Sequence, residues 1–382
     1  MKLSSSIKVI AATTVAFALA LAPAANATTW KAGGASSVNG LMAACKAAYQ
    51  TATGDDFPYN GTGSGDGKTG IHNATMDFAF SDSVDTAPIA NEIHLPSFVW
   101  PVAVLVNMGA DTKGISLSTK TIAGIFAGTI KTWNDPAIVA DNNKSVNVPV
   151  YKKDASGAVV KNAAGAPVVL KTVAKTLHHT FPSSKIVVYY RTKNSGTSNN
   201  LSRALNKLEP TIWTKSPNDS FATAFPGDIT KDPVHFRGAA GSGDVANGVK
   251  NTPWSITYAE VGFAAAPYNL TIASVINGAG NSITPSSDSA MAAASEATVA
   301  TDGTVTFNYS NTNPAAYPFT ATTYALALTK YGDTKKAEGI KKTLDYLANN
   351  CAKENPSQGF GAYSSTNAFS KAFASQLAKL GA

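Results

Sequence analysis

Two cysteines in 382 residues leave no room for a disulfide-dense scaffold or a cysteine-ligated metal cluster. Charged residues make up only 14% of the chain, and the lysines are scattered, so no basic run marks a nucleic-acid face. The five histidines, His72, His94, His178, His179 and His235, fall in no H-E-x-x-H or comparable signature, and no G-x-S-x-G elbow is present. His178 and His179 are adjacent but lack acidic companions, and read as a solvated pair. "GSGDG" and "GAAGSGDVANG" are glycine-rich yet lack the Gly-Lys-Ser/Thr of a nucleotide phosphate loop. Apart from the N-terminal segment, no apolar run approaches the ~20 residues of a membrane-spanning helix. These gaps argue against hydrolase, nucleotide-dependent enzyme, membrane span and nucleic-acid binder alike. They call for no metal and no cofactor.

What is present begins with an export signal. Lys2 and Lys8 precede the apolar core "VIAATTVAFALALA", and Ala25-Asn26-Ala27 is a small-x-small cleavage site. Residues 1–27 are expected to be removed as a signal peptide. No cysteine lies at the cleavage point, so no lipid anchor is indicated, and a periplasmic or secreted, soluble, monomeric protein is expected. Cleavage removes two lysines and no acid, which takes the net charge from +7 to +5. That mildly basic balance suits an anionic ligand. The remaining 355 residues exceed what one hydrophobic core usually holds, so two domains are expected. Cys45 and Cys351 lie near opposite ends. They could pair in an oxidising compartment, placing both ends in one domain around an inserted middle; two buried free thiols are the alternative.

Strand and helix patterns alternate, which argues for α/β layers with a largely parallel sheet. After Gly33-Gly34, Val38, Leu41, Met42, Cys45 and Tyr49 form the apolar stripe of a first helix. "MDFAFSDSV" reads as a buried strand ending at Ser81-Asp82, and "SFVWPVAVLVN" (97–107) as one further apolar strand. Two stretches look like surface additions. Residues 152–171 hold two short Val-rich runs separated by Asn and Gly, the pattern of a hairpin or extended loop. Residues 286–304 are Ala/Ser/Thr-rich, helix-compatible in their first half, with Asp302-Gly303 as a turn.

Three turns place small hydroxyl residues ahead of a helix: Ser36-Ser37, Ser64 in "GTGSGDG", and Ser195-Gly196-Thr197 in "VVYYRTKNSGTSNNLSRAL". A helix N-terminus offers unpaired N–H groups and a positive dipole end. Three of them, with Arg191 and the strand-end carboxylate of Asp82, suit a single tetrahedral oxyanion. Each turn alone is equally an ordinary helix cap.

The order of "GGASS", "GTGSGDG", "MDFAFSDS", "IFAGTIKTWNDPAI", "YYRTKNSGTS" and "TPWSITYAEVGFA" resembles that of the periplasmic phosphate-binding proteins of phosphate ABC transporters, from about Thr29 to about Lys379. The resemblance implies a type II periplasmic-binding-protein fold: two lobes, each a mixed sheet flanked by helices, joined by a two-strand hinge. Lobe I would be 28–103 with 283–382, and lobe II 104–282, with 152–171 inserted. It implies inorganic phosphate as ligand, held by Ser36, Ser37, Ser64, Asp82, Arg191, Ser195, Gly196 and Thr197, and permease subunits of a transporter as partner. Two positions depart from the family. Lys193 and Asn194 stand where Asp and Gly are frequent, and Ser37 stands where Phe is frequent.

A carboxylate in an anion site needs a reason. An ionised carboxylate only accepts hydrogen bonds, and phosphate near neutral pH still carries a proton to donate. Sulfate does not, whereas arsenate does and should be rejected poorly. Two other readings remain at this point: the same scaffold serving another oxyanion such as sulfate, molybdate or arsenate, or a phosphate scavenger or adhesin that works without a transporter. A phosphate-ester hydrolase lacks an activated nucleophile with a base in reach.

Overall fold

In the computed structural model, residues 27–109, 114–362 and 367–381 are described. The expected signal peptide lies outside them except for Ala27. The chain opens with β1 (Ala32–Gly34), whose neighbours in sequence feed α1 (Asn39–Thr53), and continues through β2 (Tyr59–Asn60), α2 (Ser64–His72), β3 (Phe78–Ser81) and β4 (Glu92–Pro101). It then passes to β5 (Ala103–Asn107), β6 (Ser116–Ser118), α3 (Thr119–Phe126), α4 (Pro136–Asp141), β7 (Ser145–Tyr151) and β8 (Val169–Thr176). Next come β9 (Val187–Arg191), α5 (Gly196–Leu208), α6 (Phe221–Ala224), β10 (Phe236–Ala239), α7 (Ser242–Lys250), β11 (Ser255–Ala259), β12 (Thr271–Ile276) and β13 (Ser282–Ile283). The last part carries α8 (Ser287–Ala294), the short pair β14 (Thr298–Val299) and β15 (Val305–Thr306), then β16 (Thr320–Leu328) and α9 (Thr334–Tyr346).

Two mixed sheets organise these elements. The first runs β2-β1-β3-β16-β4, and the second runs β10-β9-β11-β5-β12-β13, with β6 also paired to β12. The expectation of largely parallel sheets needs correcting. β1 pairs in parallel with β2 and β3, but β16 returns antiparallel to both β3 and β4. In the second sheet β5 is antiparallel to both of its neighbours, β11 and β12. The stretch 97–107 is likewise two strands rather than one. It leaves the first sheet at Pro101 and enters the second at Ala103, and the Val102 N–H donates to the Phe319 carbonyl at 2.7 Å in the gap. The apolar run hides this break because both halves are buried on both faces, as strands covered by helices are.

The α1 stripe is as the periodicity implies: Leu41, Met42, Cys45 and Tyr49 are all buried. The region 286–304 is not a surface addition in its first half. Ser289–Ala294 of α8 are buried, and Ala290, Met291 and Ala294 pack on Val99 of β4 and on Phe369. Alanine suits this position because a small side chain lets the helix approach the sheet closely. Its second half is a small hairpin, β14–β15, around Asp302-Gly303. Residues 152–171 continue the β7–β8 hairpin outward through bridges Lys153–Val159 and Lys161–Pro167. The two adjacent histidines differ from each other. His178 is exposed, but His179 is buried and stacks on Phe181 with ring centroids 4.2 Å apart.

Cys45 on α1 is bonded to Cys351 in the wide turn after α9, across 306 residues of sequence. The two free-thiol alternative is thereby set aside. The bridge ties α1 to the turn after α9 and shrinks the unfolded ensemble. Replacing both cysteines by alanine is expected to cost about 2–5 kcal/mol of unfolding free energy. Urea denaturation of both proteins checks this; equal midpoints and slopes would show that the bridge adds nothing.

Candidate functional site

Four helix N-termini, one more than the sequence suggests, come together where the two sheets face each other. Ser36 opens a short 3-10 turn ahead of α1, Ser64 opens α2, Gly196 opens α5 and Ser242 opens α7. Each turn runs from the end of a strand into a helix, so its first residues point back across the strand ends.

Arg191, the last residue of β9, is 2% exposed. Its Nη1 donates to Ser36 Oγ at 2.9 Å and to Ser242 Oγ at 3.1 Å, and its Nε donates to the Ala240 carbonyl at 2.7 Å. Its Nη2 is buried and has no acceptor among the described residues. A guanidinium fixed on one edge with its remaining N–H groups unspent is prepared for a planar or tetrahedral oxyanion. Gly63 leaves the space beside it. A Cβ there would sit 2.9 Å from the Asn194 carbonyl oxygen and 3.7 Å from Arg191 Nη2, and the backbone φ of +139° itself requires glycine.

Asp82 follows β3 and is 2% exposed. Its Oδ1 accepts from Ser37 Oγ and Thr323 Oγ1, both at 2.7 Å, and its Oδ2 accepts from Thr197 Oγ1 at 3.2 Å. Thr323, on β16, also accepts from Trp100 Nε1 at 2.8 Å, which leaves its own proton for Asp82. Burial pushes the Asp82 carboxyl above the usual range; the hydroxyls of Thr323, Ser37 and Thr197 and the Arg191 charge pull the other way. Ser64 Oγ accepts the backbone N–H of Asp82 and of Gly196, each at 3.1 Å. With both lone pairs taken, its O–H is left to act as a donor. Gly196 abuts Asp82 so closely that a Cβ would lie 2.6 Å from the Asp82 Cβ.

All eight residues singled out from the sequence lie at this convergence, but not with equal roles. The Ser37 hydroxyl is spent on Asp82, so serine in place of the family's frequent Phe orients the carboxylate. The Ser195 hydroxyl accepts from the Ser198 N–H at 3.3 Å and caps α5, the ordinary cap role named as the alternative for these turns. Lys193 stands at the rim, half exposed, 3.4 Å from Asp66. Lys68 and Asp219 form a second, less exposed pair at 2.9 Å.

Ser242, Glu260 and Thr323 were not anticipated. Ser242 belongs to "GAAGSGDVANG", a Gly-Ser turn ahead of a helix like the other three, which is the signal that could have found it. Glu260 follows β11 and is buried. Its Oε1 accepts from Ser242 Oγ at 3.3 Å, and its Oε2 has no partner. Burial first, and then the Asp82 charge, pushes its carboxyl up to about 7. A folded-state value raised above 4.5 means that its contribution to stability is intact below pH 4.5 and lost as pH rises through about 7. The loss above pH 7 is on the order of 3 kcal/mol. Glu260→Gln, neutral throughout, is therefore expected to unfold at a higher temperature than the native protein at pH 8 and to show no such gain at pH 4. Parallel melts of the phosphate-free proteins test this; a gain that does not change with pH would contradict it.

A model of the PBP superfamily domain matches residues 21–350. The phosphate-binding protein PstS of Xylella fastidiosa (strain 9a5c) is 30% identical over 319 residues, covering 82% of this chain and 75% of that protein. PstS3 of Mycobacterium bovis is 29% identical over 311 residues, covering 77% and 71%. Among solved structures, a phosphate binding protein from Stenotrophomonas maltophilia superposes with a TM-score of 0.61 at 18% identity, covering 91% of this chain and 94% of that one, a likeness of fold. With the superfamily model spanning most of its length and 30% identity to a PstS over 82% of its residues, the chain belongs to the PstS family of phosphate-binding proteins within the PBP superfamily.

Proposed function

We propose that the protein captures inorganic phosphate between its two sheet-bearing lobes and delivers it to the permease of an ABC transporter. The observation that carries the reading is a buried guanidinium with an unpartnered Nη2, sharing one crevice with a carboxylate whose orientation three hydroxyls hold. Ser36, Ser64, Arg191, Gly196, Thr197 and Ser242 supply N–H and O–H donors; Ser37 and Thr323 hold Asp82. Oδ1 of Asp82 already accepts two hydrogen bonds, whereas Oδ2 accepts one and keeps a site for the proton of HPO₄²⁻ or H₂PO₄⁻.

Lobe I is assigned to 28–103 and 283–382, and lobe II to 104–282, with 152–171 as an inserted hairpin. The chain crosses between lobes near Val102 and after Ile283, and these crossings serve as the hinge. One anion touching residues from both lobes favours the closed form through its contacts to each. The pairs Lys68–Asp219 and Lys193–Asp66 join the two lobes at the rim and favour the same form. The relatives are binding proteins rather than enzymes, which supports capture and release of the ligand unchanged. Export through a cleaved signal peptide to a place outside the cytoplasm fits the Cys45–Cys351 bridge, and the protein is read as a monomer there.

A thermal-shift screen tests the reading, because a ligand that binds only the folded state raises its apparent stability by mass action. Phosphate and arsenate are expected to shift the melt, sulfate and molybdate to leave it in place. A sulfate or molybdate shift equal to that of phosphate would assign the scaffold to another oxyanion.

A further inference from the structure

Away from the crevice, at the far end of α2, three ligand-type side chains converge. His72 Nε2 lies 2.8 Å from Asp85 Oδ2 and 3.3 Å from Glu92 Oε2, and one ligand atom from each residue can be chosen so that all lie within 4.8 Å of one another. We propose that His72, Asp85 and Glu92 form a binding site for a divalent metal ion of zinc type.

Three features separate this cluster from an ordinary ion-pair group. First, its polar atoms are buried and unspent. Asp85 is 7% exposed and the Glu92 side chain 0%, yet His72 Nε2, Asp85 Oδ2 and Glu92 Oε1 have no hydrogen-bond partner despite their proximity. In the neutral tautomer with Nδ1 protonated, the imidazole offers its Nε2 lone pair to a cation set between the two carboxylates. Second, backbone donors fix both carboxylates. The Ala87 N–H donates to Asp85 Oδ1 at 2.9 Å, which leaves Oδ2 facing His72, and the Ile89 N–H donates at 3.3 Å to Glu92 Oε2, the oxygen nearer His72, holding each carboxylate in place as backbone donors do around metal ligands. Third, among the described residues no lysine or arginine pairs with either carboxylate. Among the described residues the two carboxylates pair only with imidazoles, those of His72 and His94, while the nearby Lys68 is committed to Ser83 and Asp219. Two buried carboxylates this close repel strongly, and a divalent cation removes that cost.

One imidazole with two carboxylates is a zinc-compatible donor set, with water completing four-coordination. His94 Nε2, which now accepts the Asp85 N–H at 3.0 Å and lies 3.8 Å from Glu92 Oε1, is the neighbouring candidate for that fourth place. The ion would pin the end of α2 to the loop that follows Asp82, two elements of the same lobe that both bear crevice residues.

The test uses the mature protein, freed of metal with a chelator and dialysed into phosphate-free buffer. Titration with zinc alone, followed by calorimetry, is expected to show one equivalent bound, weakened at least tenfold in His72→Ala and in the nearly isosteric Glu92→Gln. Cobalt(II) is expected to give the visible absorption of a four-coordinate site in the native protein and not in the variants. Phosphate titration of each variant reports whether it is folded. Zinc binding that is absent in the native protein, or unchanged in folded His72→Ala and Glu92→Gln, would overturn the assignment. A cobalt spectrum identical in native protein and variants would do the same.

Discussion

Arg191→Ala is expected to weaken phosphate binding by on the order of 2–5 kcal/mol, roughly 30- to 5,000-fold in dissociation constant. The guanidinium is the only cationic side chain placed inside the crevice among the described residues; Lys193 and Lys68 are at the rim and already paired. Removing it leaves the anion facing Asp82 and Glu260 with neutral donors alone. It also releases Ser36 and Ser242, whose hydroxyls accept from Nη1, so two further contacts lose their alignment. Arg191→Lys separates charge from shape. It restores a cation but not a fork that can hold Ser36, Ser242 and the Ala240 carbonyl while presenting Nη2. Its affinity is therefore expected to fall between those of the native protein and Arg191→Ala. Calorimetry on the three proteins measures this. If all three bind alike, the guanidinium does not touch the ligand.

Asp82→Asn is expected to reduce discrimination more than it reduces phosphate binding. A site built around a donor that its competitor lacks can reach a preference on the order of 10⁴–10⁵. Here that donor is the phosphate hydroxyl, and the acceptor is the open position on Asp82 Oδ2. Sulfate would place an unprotonated oxygen against the carboxylate, inside a pocket too dry to screen the repulsion. Asparagine removes the negative charge and offers an N–H that sulfate can accept. Ser37 and Thr323 can still donate to the amide oxygen, so the local structure should persist. The phosphate-to-sulfate ratio is expected to drop by roughly two orders of magnitude, about the worth of one charge-assisted hydrogen bond, chiefly through tighter sulfate and weaker phosphate together. Paired titrations with the two anions decide it, and an unchanged ratio would strip Asp82 of this role.

The parts of this site that the sequence discloses share a cause. Ser36, Ser64 and Ser195–Thr197 sit in turns between a strand and a helix, where local chemistry already restricts the residue types, so a window of ten residues contains the signal. Thr323 and Glu260 offer no such window. Threonine in "TATTYALAL" is an ordinary strand former, and its contact with Asp82 exists only because β16 is laid beside β3. Glu260 reaches the crevice because β11 runs parallel to β9, which puts the residue after one strand near the end of the other. The break at Val102 is hidden for a related reason: both flanking segments are buried, and nothing polar marks the change of sheet. Composition also misleads for α8, where alanine and serine resemble solvent-facing helix yet serve close packing on β4. The His72, Asp85 and Glu92 cluster is dispersed as well, its members drawn from α2, the loop after β3 and β4.

Calorimetric titration of residues 28–382 with inorganic phosphate, repeated with sulfate in the same buffer, bears most directly on the whole scheme. One phosphate per chain, with sulfate at least a thousandfold weaker, is the predicted result for a proton-sensing carboxylate beside a buried guanidinium. No phosphate heat, or equal affinity for the two anions, would mean that the crevice between the lobes is built for something else.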